Sequence, residues 1–117
     1  INVTGGERLP LAIYRQWREA TGQEILVAYG MSETFCNALA NLPGRNRPET
    51  CGVAMAGVEL RLEGSTRPGE PGVLWLKHPS LAQRYTRAEV TAQAFRDGWF
   101  CTGDLFTRDA DGYWTHE

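Results

Sequence analysis

Lysine is almost missing. Lys77 is the only one in 117 residues, and it lies within a strand-like run. Histidine is scarce too: His78 and His116 are the only two. The three cysteines, Cys36, Cys51 and Cys101, are odd in number, widely spaced and form no C-x-x-C pair. That pattern excludes a disulfide framework, and a zinc site would need a fourth ligand at a spacing the chain does not offer. The cysteines read as reduced, mostly buried thiols of a cytoplasmic protein. No apolar run approaches the ~18 residues of a membrane span, and no basic start with a long apolar stretch marks a secretory leader. Twelve Lys+Arg against fourteen Asp+Glu give a formal net charge of -2. This leaves neither a basic stripe for nucleic acid nor an acidic solvated block. The chain opens on Ile1 rather than methionine, and the expectation is an excised internal piece of a longer protein.

What is present suits one domain or part of one. Hydrophobic residues make up 42%, with four each of Trp, Tyr and Phe; a chain of this length can bury roughly 65% of its unfolded surface. Residues 1–3 read as a strand end and Thr4-Gly5-Gly6 as a turn. Pro10 suits the first turn of a helix. Leu11, Tyr14 and Trp17 recur at helical spacing, and Gly22 suits the helix stop. Residues 24–29 (EILVAY) are almost continuously apolar, as in a parallel strand buried on both faces. Residues 42–50 form a polar, Pro/Gly-containing loop. Residues 58–62 alternate as a half-buried strand, Pro68-Gly69 and Pro71-Gly72 mark a turn, and residues 73–76 form another strand. Residues 87–95 are expected to be helical with Val90 and Ala94 inward. Residues 99–107 and 113–116 read as strands joined by a hairpin turn. The expected fold class is α/β leading into antiparallel β: residues 1–40 an α/β nucleotide-binding segment, residues 41–117 a β-rich, barrel-like subdomain.

Three segments could carry chemistry. Gly5 and Gly6 ahead of a helix let a flat ligand approach the backbone, where free N–H groups and a positive dipole end await; an ordinary strand-to-helix turn has the same form. Tyr29-Gly30-Met31-Ser32-Glu33-Thr34 follows the buried strand, and ligands of open α/β sheets bind outside such carboxyl ends. There Tyr29 offers a ring face to a base, Ser32 a hydroxyl to a phosphate, and Glu33 a hard oxygen to Mg²⁺. Ser32 could equally be a helix cap. In Trp99-Phe100-Cys101-Thr102-Gly103-Asp104, the carboxylate of Asp104 could accept both hydroxyls of a ribose, or Gly103 could simply bulge a strand and leave Asp104 exposed. Asp109-x-Asp111-Gly112 lacks the later ligands of a calcium loop and reads as a hairpin turn, and His78 has no partner in sequence.

In this order, the segments resemble the adenylate-forming superfamily: acyl- and aryl-CoA synthetases, peptide-synthetase adenylation domains and firefly-type luciferases. Tyr29-Gly30-Met31-Ser32-Glu33 is similar to the family's Y-G-x-[ST]-E motif, and Trp99-Phe100-x-Thr102-Gly103-Asp104 to W-[FY]-x-T-G-D. Gly69-Glu70-Pro71-Gly72 resembles a family hairpin, and Asp111-Gly112-Tyr113-Trp114 the one just before the hinge. Residues 52–57 resemble G-x-P-x-P-G with Ala54 and Ala56 in place of both prolines. The loop at residues 43–52 and Tyr113-Trp114 look most like benzoate-type aryl-CoA ligases.

The resemblance implies a fragment of the large N-terminal domain of such an enzyme, ending just before the hinge to the C-terminal lid. Gly5, Gly6 and Glu7 would line the adenine, with Tyr29 stacked on it and Gly30 beside it. Ser32 would meet the AMP phosphate as a catalytic contact. Glu33 would hold Mg²⁺, Asp104 the ribose, and His116 would lie near the nucleotide. Met31 and residues 34–37 would border the acyl pocket. ATP, Mg²⁺ and CoA are the implied cofactors and co-substrate, and a small acyl or aryl carboxylic acid the substrate. Both family lysines, on the phosphate loop and on the lid, fall outside this chain, so it is expected to be inactive alone. Alternatives are a nucleotide-binding or structural module without catalysis, and an adenylation domain serving a carrier protein. An uncovered edge at residues 24–29 is expected to favour dimers.

Overall fold

The computed structural model describes residues 1–117. It contains two sheets. The first runs in the order β1 (Asn2–Thr4), β2 (Ile25–Gly30), β3 (Asn37–Ala40), β4 (Val53–Ala54). β1 and β2 are parallel, with α1 (Leu11–Thr21) as the crossover; β2–β3 and β3–β4 are antiparallel. The sheet is therefore mixed. The apolar run of β2 is buried at Leu26, Val27 and Ala28, because neighbours flank it on both sides. This corrects the expectation of an uncovered edge there: the edge strands of this sheet are β1 and β4.

The second sheet is antiparallel and curls into a half-barrel. Its order is β5 (Glu59–Glu63), β6 (Gly72–Lys77), β8 (Trp99–Arg108), β7 (Phe95–Arg96), with β9 (Trp114–His116) also on β8. A short α2 (Ala88–Ala94) enters β7 directly. The inward residues of β6, β8 and β9 meet β3 in a shared core: Leu74, Phe106 and Trp114 pack with Leu39, while Leu76 and Phe100 pack with Ala38. So β3, in the first sheet, is the plug of the half-barrel. No helix is long and apolar enough to cross a membrane.

The helix α1 forms where the spacing placed it, whereas the expectation of mostly buried cysteines fails. Of the stripe on α1 only Tyr14 is buried; Leu11 stays 40% and Trp17 37% exposed. The helix rests on the parallel pair β1–β2, which is too narrow to cover the whole stripe. The cysteines are free, as expected, but Cys36 is exposed and Cys51 and Cys101 are only half-buried. Cys36 sits on the turn that leads into β3, outside the core.

Candidate functional site

A cleft of about 570 Å³ opens where the two sheets meet. Its walls come from the carboxyl end of β2 (Tyr29, Gly30, Met31), the turn after β1 (Gly6, Glu7, Arg8), the loop at Thr50 and Cys51, and the half-barrel (Asp104, His116). It therefore lies at the strand carboxyl ends, where open α/β sheets place ligands.

Asp104 owes its position to an interruption in β8. Along β6, Val73 pairs with Leu105 and Trp75 with Cys101. Two steps on one strand thus match four on the other, and the three residues Thr102–Asp104, standing opposite the single Leu74, bulge outward. Gly103 takes φ 78° there, a conformation that a β-carbon disfavours. Thr102 fixes the bulge: its hydroxyl donates to the Leu74 carbonyl at 2.9 Å and accepts from the Asp104 N–H at 3.1 Å. The bulge turns Asp104 towards β2, where Oδ2 accepts the Tyr29 hydroxyl at 2.6 Å. The Tyr29 ring stands edge-on to Phe106, with centroids 4.9 Å apart, and lies nearly parallel to His116 at 6.4 Å. Burial first, then the Asp104 hydrogen bond and charge, push the Tyr29 pKa well above its ordinary value, so the phenol stays a donor. Asp104 Oδ1 faces His116 Nε2 at 3.9 Å, beyond hydrogen-bond range.

Of the nine residues singled out in the sequence, six line this cleft: Gly6, Glu7, Tyr29, Gly30, Asp104 and His116. Gly5, Ser32 and Glu33 are not in its lining. Gly5 packs its Cα against β2; a β-carbon there would come within 2.9 Å of the Ala28 carbonyl oxygen. Ser32 and Glu33 lie one turn further on, in a 3-10 turn (Ser32–Thr34) closed by the Thr34 hydroxyl on the Met31 and Cys36 carbonyls. Ser32 is exposed. Glu33 Oε1 accepts the Tyr85 hydroxyl at 2.6 Å. Burial first, and then Glu33, push the Tyr85 pKa up to about 12. The other carboxylate oxygen, Oε2, has no hydrogen-bond partner.

One hard carboxylate oxygen left free suits Mg²⁺, which takes one or two protein carboxylates and leaves its remaining positions to water and phosphate oxygens. No group of three His, Cys, Asp or Glu gathers elsewhere to offer a cation an all-protein cage. Cys51 in the cleft wall and Tyr85 behind Glu33 escaped the reading of the sequence. Tyr85 lies 52 positions from Glu33 in a stretch with no motif, and nothing in the sequence pairs the two.

A family model described as AMP-binding enzyme matches residues 1–86. The 3-hydroxybenzoate–CoA ligase of Aromatoleum sp. (strain CIB) is 38% identical over 120 residues, covering 97% of this chain and 23% of that protein. Among solved structures, an anthranilate CoA ligase in complex with anthranoyl-AMP superposes with TM-score 0.92 at 36% identity, over 97% of this chain and 23% of its own. The O-succinylbenzoate coenzyme A synthetase of Bacillus subtilis, in complex with ATP and magnesium ion, gives TM-score 0.86 at 27% identity, over 97% and 25%. The chain thus spans about a quarter of the length of the proteins it matches.

Proposed function

This chain belongs to the AMP-binding enzyme family, and we propose that the protein carrying it is an ATP-dependent CoA ligase that activates a small acyl or aryl carboxylic acid. The acid's carboxylate oxygen attacks the α-phosphorus of ATP, forming acyl-AMP and releasing pyrophosphate. The thiol of CoA then attacks the acyl carbonyl, and AMP leaves. One observation carries the reading: Tyr29 from one sheet and Asp104 from the other converge, 2.6 Å apart, on a single cleft at the strand carboxyl ends. The aryl relatives favour an aromatic acid.

In-line attack at phosphorus asks for positioning and charge stabilisation rather than covalent help from the protein. In this reading the adenine lies between the turn at Gly5, Gly6 and Glu7 and the Tyr29 ring, with Gly30 beside it, where a β-carbon would come within 2.6 Å of the Cys36 carbonyl oxygen. Asp104 accepts the ribose hydroxyls, sharing its carboxylate with the Tyr29 phenol, and His116 closes the lip. Ser32, exposed on its turn, donates to the α-phosphate. Glu33 is the residue that would hold Mg²⁺, which when bound neutralises phosphate charge. Phe35 is 88% exposed and takes φ 59°, a strained conformation for a bulky residue, and such strain gathers at ligand sites. Its ring, together with Met31, is assigned to the wall of the acyl pocket. The protein is placed in the cytoplasm, where its three free thiols stay reduced.

The test is the full-length protein with ATP, CoA and a panel of benzoates, hydroxybenzoates, anthranilate and aliphatic acids. Thioester and AMP should form with at least one aryl acid; no AMP from any acid sinks the reading. Asp104→Asn should weaken AMP binding, read by calorimetry, by about ten-fold or more, the usual scale for a hydrogen bond to a charged group. The 117 residues alone, which lack both family lysines, should release no pyrophosphate.

A further inference from the structure

Segment 78–85, between β6 and α2, grips the turn that carries Ser32 and Glu33 at three points. The Ala82 N–H donates to the Glu33 carbonyl at 2.7 Å. The Ser80 hydroxyl donates to the Thr34 carbonyl at 2.6 Å and is itself held by His78 Nδ1 at 2.6 Å. The Tyr85 hydroxyl donates to Glu33 Oε1 at 2.6 Å. Two of these bonds fix the backbone of the turn. Only the third reaches the carboxylate, whose side-chain torsions a fixed backbone would otherwise leave free.

Tyr85 is a rigid donor. Its backbone N–H donates to the Thr91 hydroxyl of α2 at 2.9 Å, and its ring packs edgewise on Phe95 with centroids 5.7 Å apart. We propose that Tyr85 is a positioning residue for Glu33: it fixes one carboxylate oxygen and leaves Oε2 turned out to a divalent cation. The inference rests on the reading of Glu33 as the magnesium-facing carboxylate. Partners of this kind orient metal ligands, and their loss typically costs ten- to a hundred-fold in metal affinity or activity. The half-barrel therefore sets the nucleotide's charge partner as well as its ribose partner, through two phenol–carboxylate bonds, Tyr29–Asp104 and Tyr85–Glu33.

The experiment uses the full-length protein with Mn²⁺ as a paramagnetic probe and a non-hydrolysable ATP analogue. Tyr85→Phe keeps the ring and removes the donor. It should raise the Mn²⁺ dissociation constant about ten-fold while leaving metal-free AMP binding and the melting temperature unchanged. Glu33→Gln should weaken Mn²⁺ at least as much, and adding Tyr85→Phe to it should do nothing further. Unchanged Mn²⁺ affinity in Tyr85→Phe, with Glu33→Gln impaired, overturns the positioning role. So does a joint loss of Mn²⁺ binding, AMP binding and melting temperature, which would mark the bond as structural. If Glu33→Gln binds Mn²⁺ normally, the metal-facing reading of Glu33 itself falls, and Tyr85 has no ligand to position.

Discussion

Glu70 organises the turn between β5 and β6 almost alone. Its Oε2 accepts the Thr66 N–H and hydroxyl at 2.9 Å and the Arg67 N–H at 3.1 Å, while Oε1 accepts the Arg67 guanidinium at 2.7 and 2.9 Å. The Thr66 N–H first, then the Arg67 side chain, lower its pKa to about 2 from an ordinary 4.5. Because the folded value lies below the unfolded one, the contribution is complete above pH ~4.5 and is lost as pH falls through about 2. In an NMR titration the Thr66 amide should move with a midpoint near 2, and Glu70→Gln should abolish that movement. A midpoint at the ordinary carboxylate value would refute the turn's hydrogen bonding. At this scale the sequence was legible wherever a residue type and a local pattern coincide. Tyr29 and Asp104 each stand in a motif, and the two Pro-Gly pairs mark the Glu70 turn. It was silent on pairings across the chain: nothing local links Tyr85 to Glu33, or shows that the Tyr29 phenol would take one oxygen of Asp104.

Among the elements, β2, β5, β6, β8 and β9 were visible as apolar runs or alternation, whereas β3, β4 and β7 were not. Those three are two to four residues long, and they exist because a neighbour pairs with them. The junction at β4 shows how tightly. Gly52, just before it, bridges to Trp114, with its carbonyl accepting the Trp114 N–H at 2.8 Å. Its φ is 85°, and a β-carbon would fall 2.1 Å from the Ala40 carbonyl. Gly52→Ala should therefore cost about 2 kcal/mol or more, combining left-handed strain with a backbone clash. Gly44, at φ 73° with open space around it, provides the control: Gly44→Ala should cost about 1 kcal/mol. Urea unfolding of the 117-residue chain measures both, and equal losses would refute the close approach at Gly52. The helix α1 gave the opposite outcome. Its period was plain, but the extent to which its stripe is covered depends on the width of the sheet beneath, which no helical pattern encodes.

The whole molecule is less compact than its length would allow. Its radius of gyration is 15.1 Å, against about 13.4 Å for an ordinary domain of this size, and only 18 of 117 residues are buried. Ile1, Val3 and Ile13 are exposed at β1 and α1, so the chain carries both an open strand edge and exposed apolar side chains. The isolated chain should self-associate: size-exclusion chromatography should give dimers or larger species, and Val3→Lys on β1 should shift them towards monomer. A clean monomer at high concentration would count against this. The two-sheet origin of the cleft also dictates when it can form. Tyr29 and Asp104 are 75 positions apart, and contacts of such long sequence separation carry the loop-closure cost that slows folding. The hairpins of the half-barrel can zip locally, but the cleft has one wall until the barrel closes over β3. A chain emerging from the ribosome thus has no two-walled cleft until this late step, and any ligand of the cleft stabilises only the finished fold.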